Sequence, residues 1–153
     1  MPQIFVFTAG NPEARQHLLD SIQNPIDKAV VLDTFAAADR KKLERIQAEG
    51  NGFYAWGAVS GLRNTPTWET MERGDYVLCV YDSTYRYVAR VLAKYENERF
   101  ARRVWGDDED GKTWKYMYFL TEPIEVYQPL YEFEDYLNSS YRGFTRIARR
   151  EAQ

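Results

Sequence analysis

Residues 76–95 read YVLCVYDSTYRYVARVLAKY and contain the pattern that decides the fold. Two runs rich in β-branched and aromatic residues, 76–81 and 85–95, are separated by the turn residues 82–84. Two such runs on either side of a short polar turn predict a β-hairpin. The only cysteine, Cys79, lies within the first run and is expected to be a buried small hydrophobe. An antiparallel or mixed sheet is therefore expected at the centre of the molecule.

The predicted hairpin is flanked by further strands and by helices. Short β-rich runs predict strands at 4–8, 53–58, 114–120 and 124–127, of which the first is an edge or first strand. Helices are expected at 12–23, at about 34–49 with its start at Thr34 or Asp39, and at 96–106. Two more are expected in YEFEDYLNSSY (131–141) and, as a basic amphipathic helix, in 144–150. Asn11 before Pro12 is typical of a helix start. Because no linker or repeat interrupts the chain, residues 1–153 are expected to form one α+β domain, with a strongly curved sheet and peripheral helices.

The composition shows an unusual share of aromatic residues. Of the 153 residues 16% are aromatic, including twelve Tyr and four Trp. Part of this excess is expected in the core, and part favours a stacking surface or an aromatic pocket. The net charge of −3 argues against a free-standing, non-specific nucleic-acid binder but leaves room for a local basic face. Neither a signal peptide nor an apolar run of about 20 residues is found, so a cytoplasmic protein without membrane contact is expected.

Catalytic and metal-binding patterns are scarce. His17, the single histidine, lies in the first predicted helix without neighbouring metal ligands, so it is interpreted as an exposed or satisfied helical histidine. The acidic run 107–110 lacks the ligand spacing of a calcium loop and is interpreted as a solvated loop. No phosphate-binding glycine motif, nucleophile elbow or Cys/His arrangement is present. These observations favour a binding protein over an enzyme and predict no catalytic residue, metal or cofactor.

Basic residues are arranged in a way that favours a phosphate-binding surface. Arg86, Arg90 and Lys94 recur every four positions in a predicted strand and are therefore expected on one face of the sheet. Other basic residues expected to extend this surface are Arg63, Arg99, Arg102, Arg103, Arg142, Arg146, Arg149 and Arg150. The periodicity is equally compatible with a solvated charged face that is offset by Glu96 and Glu98. Both interpretations are open at this point.

Two of the four tryptophans stand where regular structure gives way to a loop. Trp56 precedes Gly57 at the end of a predicted strand, and Trp105 precedes Gly106 at the end of a predicted helix. Aromatic side chains at such positions are suited to stacking on flat ligands. The core is instead expected to hold Trp68, Tyr76 and Tyr118.

Several of these motifs, taken in order, resemble one known group of domains. They are YAWGAVSGLRN (54–64), W-x5-GDYVL (68–78), YVARV (87–91), ARRVWG (101–106) and WKYMYFL (114–120), with FVFTAGNPEARQHL (5–18) and YRGFTRIARRE (141–151) towards the ends. Together they resemble the PUA-like superfamily, in particular its EVE and YTH-like branch. More narrowly, the chain is similar to N-terminal recognition domains of modification-dependent restriction systems, which precede a GTP-driven motor or a nuclease module. The resemblance implies a curved sheet, nearly a barrel, that holds an aromatic cage for a modified base.

The resemblance also implies roles for individual residues. Trp56 and Trp105 correspond to two walls of the cage. The third wall is left open among Tyr54, Tyr81, Trp114 and Tyr116. Gly57 corresponds to a small residue whose backbone approaches the base edge. The loop that follows, where base-edge and phosphate contacts would be made, holds Ser60, Arg63 and Asn64. Further phosphate contacts are expected from Arg86, Arg90, Lys94, Arg102 and Arg103.

The function expected from these residues and from the resemblance is that of a DNA-binding specificity domain. It would flip a methylated base out of double-stranded DNA into the cage, with N6-methyladenine favoured and 5-methylcytosine next. Cleavage would reside in a fused or partner GTPase motor and nuclease subunit. Two alternatives are a YTH-like reader of methylated single-stranded RNA and a PUA-like enzyme that acts on RNA.

Overall fold

Seven strands form one mixed sheet in the computed structural model, which describes residues 2–129 and 143–147. The strands are β1 (Ile4–Thr8), β2 (Tyr54–Ala58), β3 (Tyr76–Tyr81), β4 (Thr84–Glu96), β5 (Tyr116–Leu120), β6 (Ile124–Pro129) and β7 (Phe144–Arg146). Their order is β2-β5-β4-β3-β1-β7, and β6 pairs with β4. Strands β1 and β3 run parallel, and the other described pairs are antiparallel. The hairpin expected from residues 76–95 is confirmed as β3 and β4.

The long strand β4 gives the sheet its curvature. One of its edges pairs with β3, while the other edge pairs first with β6 and then with β5. The pairing skips Arg86 and Leu92, so β4 carries two bulges, and bulges bend a strand and increase its twist. As a result Phe144 of β7 stacks 5.9 Å from Tyr118 of β5, although these strands are not neighbours in the sheet. The expected α+β domain with a strongly curved sheet is confirmed.

Helices surround this sheet. Those in the described residues are α1 (Pro12–Ser21), α2 (Lys28–Thr34), α3 (Arg40–Gly50), α4 (Asn64–Thr70) and α5 (Glu98–Val104), with a 3-10 helix at Ala37–Asp39. Asn11 caps α1 as expected, because its side chain accepts a hydrogen bond from the Ala14 N–H at 2.7 Å. Asn51, with φ of 54°, ends α3 in the left-handed conformation that asparagine tolerates. No helix in the described residues is both long enough and apolar enough to cross a membrane.

Of the two starts expected for the helix that ends near residue 49, Thr34 is wrong and Asp39 is confirmed, because Asp39 is the N-cap of α3. Asp27 caps the short helix α2, and Phe35 is extended with φ of −111° and ψ of 155°. The helical pattern resumes only in α3. Helix α4 was also missed, since its sequence NTPTWET carries a proline and turn-forming residues that read locally as a loop. Both errors concern helices of seven residues, for which the hydrophobic period gives little signal.

The expectation of a basic amphipathic helix from residue 144 is wrong for the part that the structure describes. Residues 144–146 form β7, which pairs antiparallel with β1. Phe144 packs into the core, 5.8 Å from the ring of Phe5. The free edge of β1 thus determines the conformation here, in preference to the local helical pattern. The expected helix at 131–141 and residues 148–150 lie outside the described residues.

The core confirms some expected residues and excludes one. Tyr118 is fully buried and Trp68 packs against the same cluster with part of its surface exposed. Cys79 is buried as expected, and burial raises the pKa of its thiol. Tyr76 is 38% exposed, because it pairs with Arg90 on the outer face of the sheet and the Arg90 guanidinium lies 4.7 Å above its ring. The assignment of Tyr76 to the core is therefore wrong.

Asp75, the aspartate of the GDYVL motif, ties the start of β3 to the start of β1. Its buried carboxylate accepts hydrogen bonds from the backbone N–H of Gln3 (2.9 Å) and of Glu72 (2.8 Å) and from Nε2 of Gln3 (3.0 Å). A buried donor that loses its partner costs about 1–3 kcal/mol, so we expect Asp75→Ala to lower the free energy of unfolding by about 3 kcal/mol. Urea denaturation measures this change. The exposed Asp33→Ala is the control, with an expected change below about 0.5 kcal/mol, and equal losses would contradict the assignment.

Candidate functional site

Three tryptophans and two further rings lie together beside β2. The ring centroid of Trp114 is 4.8 Å from that of Trp56 and 5.4 Å from that of Trp105. Trp56 and Trp105 are 6.5 Å apart. Phe7 stacks on Trp56 at 4.4 Å, and His17 meets Trp114 edge-on at 4.5 Å. We call Trp56, Trp105 and Trp114 the tryptophan cluster. The sequence-based expectation named all three of these residues as cage walls or candidates for one.

Each member of the cluster comes from a different element. Trp56 is the middle residue of β2, Trp105 is the C-cap of α5, and Trp114 lies two residues before β5. The burial of the three side chains differs. Trp56 and Trp105 are 3% and 7% exposed, whereas Trp114 is half-buried. Trp114 is therefore the member of the cluster that solvent or a ligand reaches most readily.

The strand pairing explains why distant segments meet at the cluster. Ala58 pairs antiparallel with Tyr116, so the end of β2 lies beside the start of β5. The loop 59–63, which follows β2, and the loop 105–115, which precedes β5, consequently leave the sheet at the same edge. We call this the loop edge. It is the part of the surface closest to the half-buried Trp114.

The polar atom of Trp105 is satisfied inside the fold. Its indole Nε1 donates a hydrogen bond to Oγ of Ser21 on α1 at 3.1 Å. Oγ of Ser21 in turn donates to the backbone carbonyl of Ala55 on β2 at 2.7 Å. This chain of hydrogen bonds joins α1, α5 and β2 and fixes the plane of the Trp105 ring.

Gly57 is required by the packing of the loop 105–115. A Cβ at this position would lie 2.7 Å from the carbonyl oxygen of Trp114 and 3.0 Å from Cζ3 of Trp105. Side chains do not tolerate such approaches to backbone atoms. In this structure the loop 105–115 thus occupies the space beside Gly57, and the approach of a base edge to this residue stays a prediction.

The distances within the cluster decide what it can accept. A base held between two parallel rings needs walls roughly 7 Å apart, twice the 3.4 Å spacing of stacked bases. Trp56 and Trp105 have nearly that separation but their planes are inclined by 66°. Phe7 stacks on Trp56, and the Trp114 ring lies 4.8 Å from Trp56 with its plane inclined by 57°, so Trp56 is only 3% exposed. A base can therefore stack on Trp56 only if one of these neighbours moves aside.

The three tyrosines considered for the third wall are distributed over the sheet. Tyr116 lies against Trp68, with ring centroids 4.9 Å apart. Tyr81 lies between two arginine side chains, Arg15 at 5.0 Å and Arg86 at 4.6 Å from its ring. Tyr54 is buried on β2, two residues before Trp56. Burial and the nearby Glu122 raise the pKa of Tyr54. Of the four candidates for the third wall, the ring contacts described above join only Trp114 to both Trp56 and Trp105.

The loop 59–63 and the first turn of α4 contain the residues expected to contact a base edge. Ser60 and Arg63 are exposed. Asn64 donates a hydrogen bond from Nδ2 to the carbonyl of Val59 at 3.1 Å and so closes the loop. Ser60 and Arg63 are thus free to contact a ligand at the loop edge, while the Asn64 amide N–H₂ is engaged in holding the loop.

The expected common face of Arg86, Arg90 and Lys94 is wrong, because the two bulges of β4 change the alternation of its side chains. Arg86 stacks over Tyr81 at 4.6 Å and over Tyr127 at 4.5 Å. Arg90 lies on the outer face and donates to the Gly74 carbonyl at 2.9 Å. Lys94 turns towards α4 and donates to the carbonyls of Trp68 and Glu69, at 3.0 and 2.7 Å. Burial lowers the pKa of Lys94, against the opposing effect of Glu69, Glu72 and Asp75.

The arginines of α5 differ in how far their charge is already compensated. Arg102 forms ion pairs with Glu98 at 3.1 Å and with Asp107 at 2.8 Å, and these hydrogen bonds raise its pKa. Arg103 is exposed in the last turn of the helix, two residues before Trp105. The sequence left open a solvated face whose positive charges are compensated by acidic residues. This interpretation therefore describes Arg102 better than Arg103. Arg142, Arg149 and Arg150 lie outside the described residues.

The acidic loop and the histidine have structural roles. The carboxylate of Asp108 accepts hydrogen bonds from the N–H groups of Asp110 (2.8 Å) and Lys112 (2.9 Å), which folds the loop into a turn. His17 lies 3.3 Å from Asp20, so the interpretation as a satisfied helical histidine is confirmed. No group of three or more potential metal ligands occurs in residues 2–129 and 143–147.

Sequence reasoning missed three contributors to the site: Phe7, His17 and Ser21. Phe7 lies in a β-rich run that predicts burial but not which ring it covers. His17 and Ser21 are four residues apart and therefore on one face of α1, which is the only local signal that links them. Their proximity to the cluster follows from the tertiary packing of α1 on β2.

Comparison with known structures identifies the fold. No protein-family model matches the chain, and no curated protein matches its sequence. The N-terminal domain of Thermococcus gammatolerans McrB bound to m5C DNA is similar over 95% of this chain and 90% of that chain, with a TM-score of 0.69 and 15% sequence identity. This chain shares that fold. The McrB domain thus confirms, at the level of the fold, the resemblance seen in the sequence motifs.

Two further solved structures are less similar. The YTH domain of the Zygosaccharomyces rouxii MRB1 protein in complex with N6-methyladenosine RNA has a TM-score of 0.48 and 15% identity, over 96% of this chain and 79% of that chain. Rpa0253 from Rhodopseudomonas palustris has a TM-score of 0.39 and 13% identity, over 87% and 70%. Both TM-scores lie below 0.5, so the assignment of the fold rests on the McrB domain.

Proposed function

We propose that the chain is a recognition domain for double-stranded DNA that carries a methylated base, and that the base is flipped out and bound at the tryptophan cluster. The observation that carries this proposal is the cluster itself, which lies next to the two loops of the loop edge. The fold supports it, because the McrB domain that shares this fold was solved bound to m5C DNA. The domain recognises the base and does not cleave.

The energetics of such binding are favourable only if several contacts combine. Extrusion of a base from a duplex costs a few kcal/mol of lost stacking and pairing. Stacking on an aromatic side chain returns about 1–3 kcal/mol per base, and burial of the methyl group adds about 0.8 kcal/mol. A tryptophan on each face of the base therefore offsets the extrusion, and the methyl group then decides between modified and plain DNA.

Entry of the base requires that Trp114 moves away from Trp56. Trp114 is half-buried, and its loop contains two glycines with positive φ, Gly106 at 80° and Gly111 at 75°. Glycine adopts such conformations without steric cost, so these positions are suited to absorb a movement of the loop. When Trp114 has moved aside, Trp56 and Trp105 are the two fixed walls of the site. Once the base has entered, Trp114 returns and forms the third wall.

We propose N6-methyladenine as the preferred base and 5-methylcytosine as the next, with a fused or partner GTPase motor and nuclease subunit that carries out cleavage. The order of the bases and the partner subunits follow from the sequence resemblance. The McrB domain in the comparison was bound to m5C DNA, so both bases belong in the first experiment.

Fluorescence anisotropy with matched duplexes tests the proposal. The probes share one sequence and differ in a single base, which is plain or carries one of the three common DNA methylations, N6-methyladenine, 5-methylcytosine or N4-methylcytosine. Each probe is also measured as single-stranded DNA and as RNA. We expect at least tenfold tighter binding to one methylated duplex than to the plain duplex, within the range that apolar pockets achieve for a single methyl group, about 10–200-fold. Equal affinity for all duplexes would contradict the proposal, and a preference found only with RNA would support the YTH-like alternative.

A pair of double variants tests which cations contact the phosphates. Arg63 is exposed in the loop 59–63 and Arg103 in the last turn of α5, just before the loop 105–115, whereas Arg86 lies near the start of β4 and Arg90 at its middle. We expect Arg63→Ala with Arg103→Ala to weaken binding to methylated and plain duplexes by the same factor. The slope of log K against log salt should fall by about 0.9 for each lost phosphate contact. Arg86→Ala with Arg90→Ala is the matched comparison, and a larger loss in that pair would show that the phosphates bind away from the loop edge.

A further inference from the structure

We infer that Leu62 is the wedge that enters the base stack when the methylated base leaves it. This inference rests on the proposed function and names the residue that acts on the DNA rather than on the extruded base. Leu62 is 98% exposed, more than any of the other large exposed hydrophobic residues described, which are Leu19, Tyr76, Ile124 and Tyr127. An exposed leucine by itself is ordinary. Leu62 is distinguished by the hydrogen bonds that hold its loop, by its exposed polar neighbours and by its position relative to the tryptophan cluster.

Leu62 stands at the tip of a loop whose backbone is held on both sides. The Gly61 N–H donates to Oγ1 of Thr65, and the Thr65 N–H donates to the Gly61 carbonyl, both at 3.1 Å. On the other side, the carbonyl of Arg63 accepts from Oγ1 of Thr67 at 2.7 Å. The loop therefore presents Leu62 on a fixed backbone. A fixed backbone is what insertion requires, because a flexible tip would lose conformational entropy when it entered the DNA.

The neighbours of Leu62 suit an approach to DNA. A Cβ added to Gly61 would meet nothing within 4 Å, so the surface beside the tip is open. Ser60 and Arg63 on either side are exposed and can bind the phosphates or base edges next to an insertion. Proteins that kink or unstack DNA commonly insert leucine or another apolar side chain between bases, with cationic residues nearby.

Base flipping requires one site that binds the extruded base and one residue that fills the gap in the duplex. The position of Leu62 relative to the tryptophan cluster fits this requirement. Four residues separate Ala58, at the end of β2, from Leu62, so their Cα atoms are at most about 14 Å apart. Both the loop 59–63 and the loop that carries Trp114 leave the loop edge. A base that swings out of the duplex into the cluster therefore leaves its gap beside the loop that carries Leu62.

The experiment compares Leu62→Ala with Leu62→Met and with Ile124→Ala, an exposed apolar residue on β6. Two methylated duplexes serve as probes. In one the methylated base is paired normally, and in the other it lies opposite an abasic site and needs no wedge. We expect Leu62→Ala to bind the paired probe roughly tenfold more weakly than wild type and the unpaired probe within about twofold. Leu62→Met and Ile124→Ala should bind both probes as wild type does.

The outcomes separate this inference from the proposed function. If wild type does not prefer methylated duplexes, the proposed function fails and Leu62 has no wedge role. If wild type prefers them and Leu62→Ala binds the paired probe unchanged, the wedge assignment alone is overturned. An equal loss on both probes also overturns it, since Leu62 would then be a general DNA contact. A loss confined to the paired probe supports it, and thermal unfolding of Leu62→Ala should match wild type because the side chain is exposed.

Discussion

Replacement of Trp56 by alanine is expected to abolish the preference for methylated over plain duplex and to lower the free energy of unfolding by about 3–5 kcal/mol. Trp56 is 3% exposed, Phe7 stacks on it at 4.4 Å, and the Trp114 ring lies 4.8 Å away. Removal of the ring leaves a cavity that these neighbours fill only in part. Urea denaturation gives the stability, and anisotropy with the two duplexes gives the preference.

Because Trp56→Ala combines two effects, a milder variant is needed to separate them. Trp56→Phe keeps an aromatic ring in the core and should remain folded, but it offers a smaller stacking surface and should show a reduced preference. Trp68→Ala is the control, since Trp68 is half-buried and donates its indole N–H to the Met117 carbonyl at 3.1 Å, outside the cluster. Trp68→Ala should retain the preference. A folded Trp56→Phe with wild-type preference, or a Trp68→Ala without it, would contradict the assignment of the cluster.

Gly57→Ala is expected to lower both the stability and the preference for methylated DNA, although it adds a single methyl group. The new Cβ would meet the Trp114 carbonyl at 2.7 Å and the Trp105 ring at 3.0 Å, so the loop 105–115 must shift. Overpacking of this kind costs about 1–3 kcal/mol. Because the shift displaces Trp114, we also expect loss of the preference for methylated DNA.

The matched control for Gly57→Ala is Gly61→Ala. A Cβ at Gly61 would meet nothing within 4 Å, so we expect its stability to stay within about 0.5 kcal/mol of wild type. Thermal or urea unfolding of the two variants, followed by anisotropy with methylated and plain duplexes, makes the comparison. Equal stability of both variants would show that the loop does not pack on Gly57 as described.

Elements with strong local signals could be predicted from the sequence. The hairpin of β3 and β4 follows from alternating β-rich runs around a turn, and α1 follows from the cap at Asn11. The elements that could not be predicted depend on distant contacts. Strand β7 forms because β1 offers an unpaired edge, and α2 and α4 are too short to show a period. Lys94 lies on the other face of the sheet because of the bulge at Leu92 in β4. The spacing of the basic residues in the sequence does not reveal such a bulge.

The candidate site shows the same division. Trp56 and Trp105 were expected there because each precedes a glycine at the end of an element, and the structure brings them within 6.5 Å. The choice of Trp114 over three tyrosines as their neighbour depends on the packing of the loop 105–115 over Gly57. Phe7 reaches the cluster only because the sheet curls, a property that no local pattern specifies.

The four indole N–H groups allow entry of a base into the cluster to be observed directly. Each tryptophan gives one indole resonance in a ¹⁵N-correlated NMR spectrum, and single Trp→Phe variants assign them. Trp68 serves as an internal reference, because its N–H is bonded to the Met117 carbonyl and its described ring contact is with Tyr116 and not with a member of the tryptophan cluster. The spectrum is recorded with increasing amounts of the methylated duplex and, separately, of the plain duplex.

We predict that the methylated duplex shifts the indole resonances of Trp56, Trp105 and Trp114, through the ring current of the inserted base, while Trp68 changes little. The plain duplex should leave all four nearly unchanged at the same degree of saturation. If the three cluster resonances respond equally to both duplexes, or stay in place while methylated DNA binds, the methylated base does not enter the tryptophan cluster.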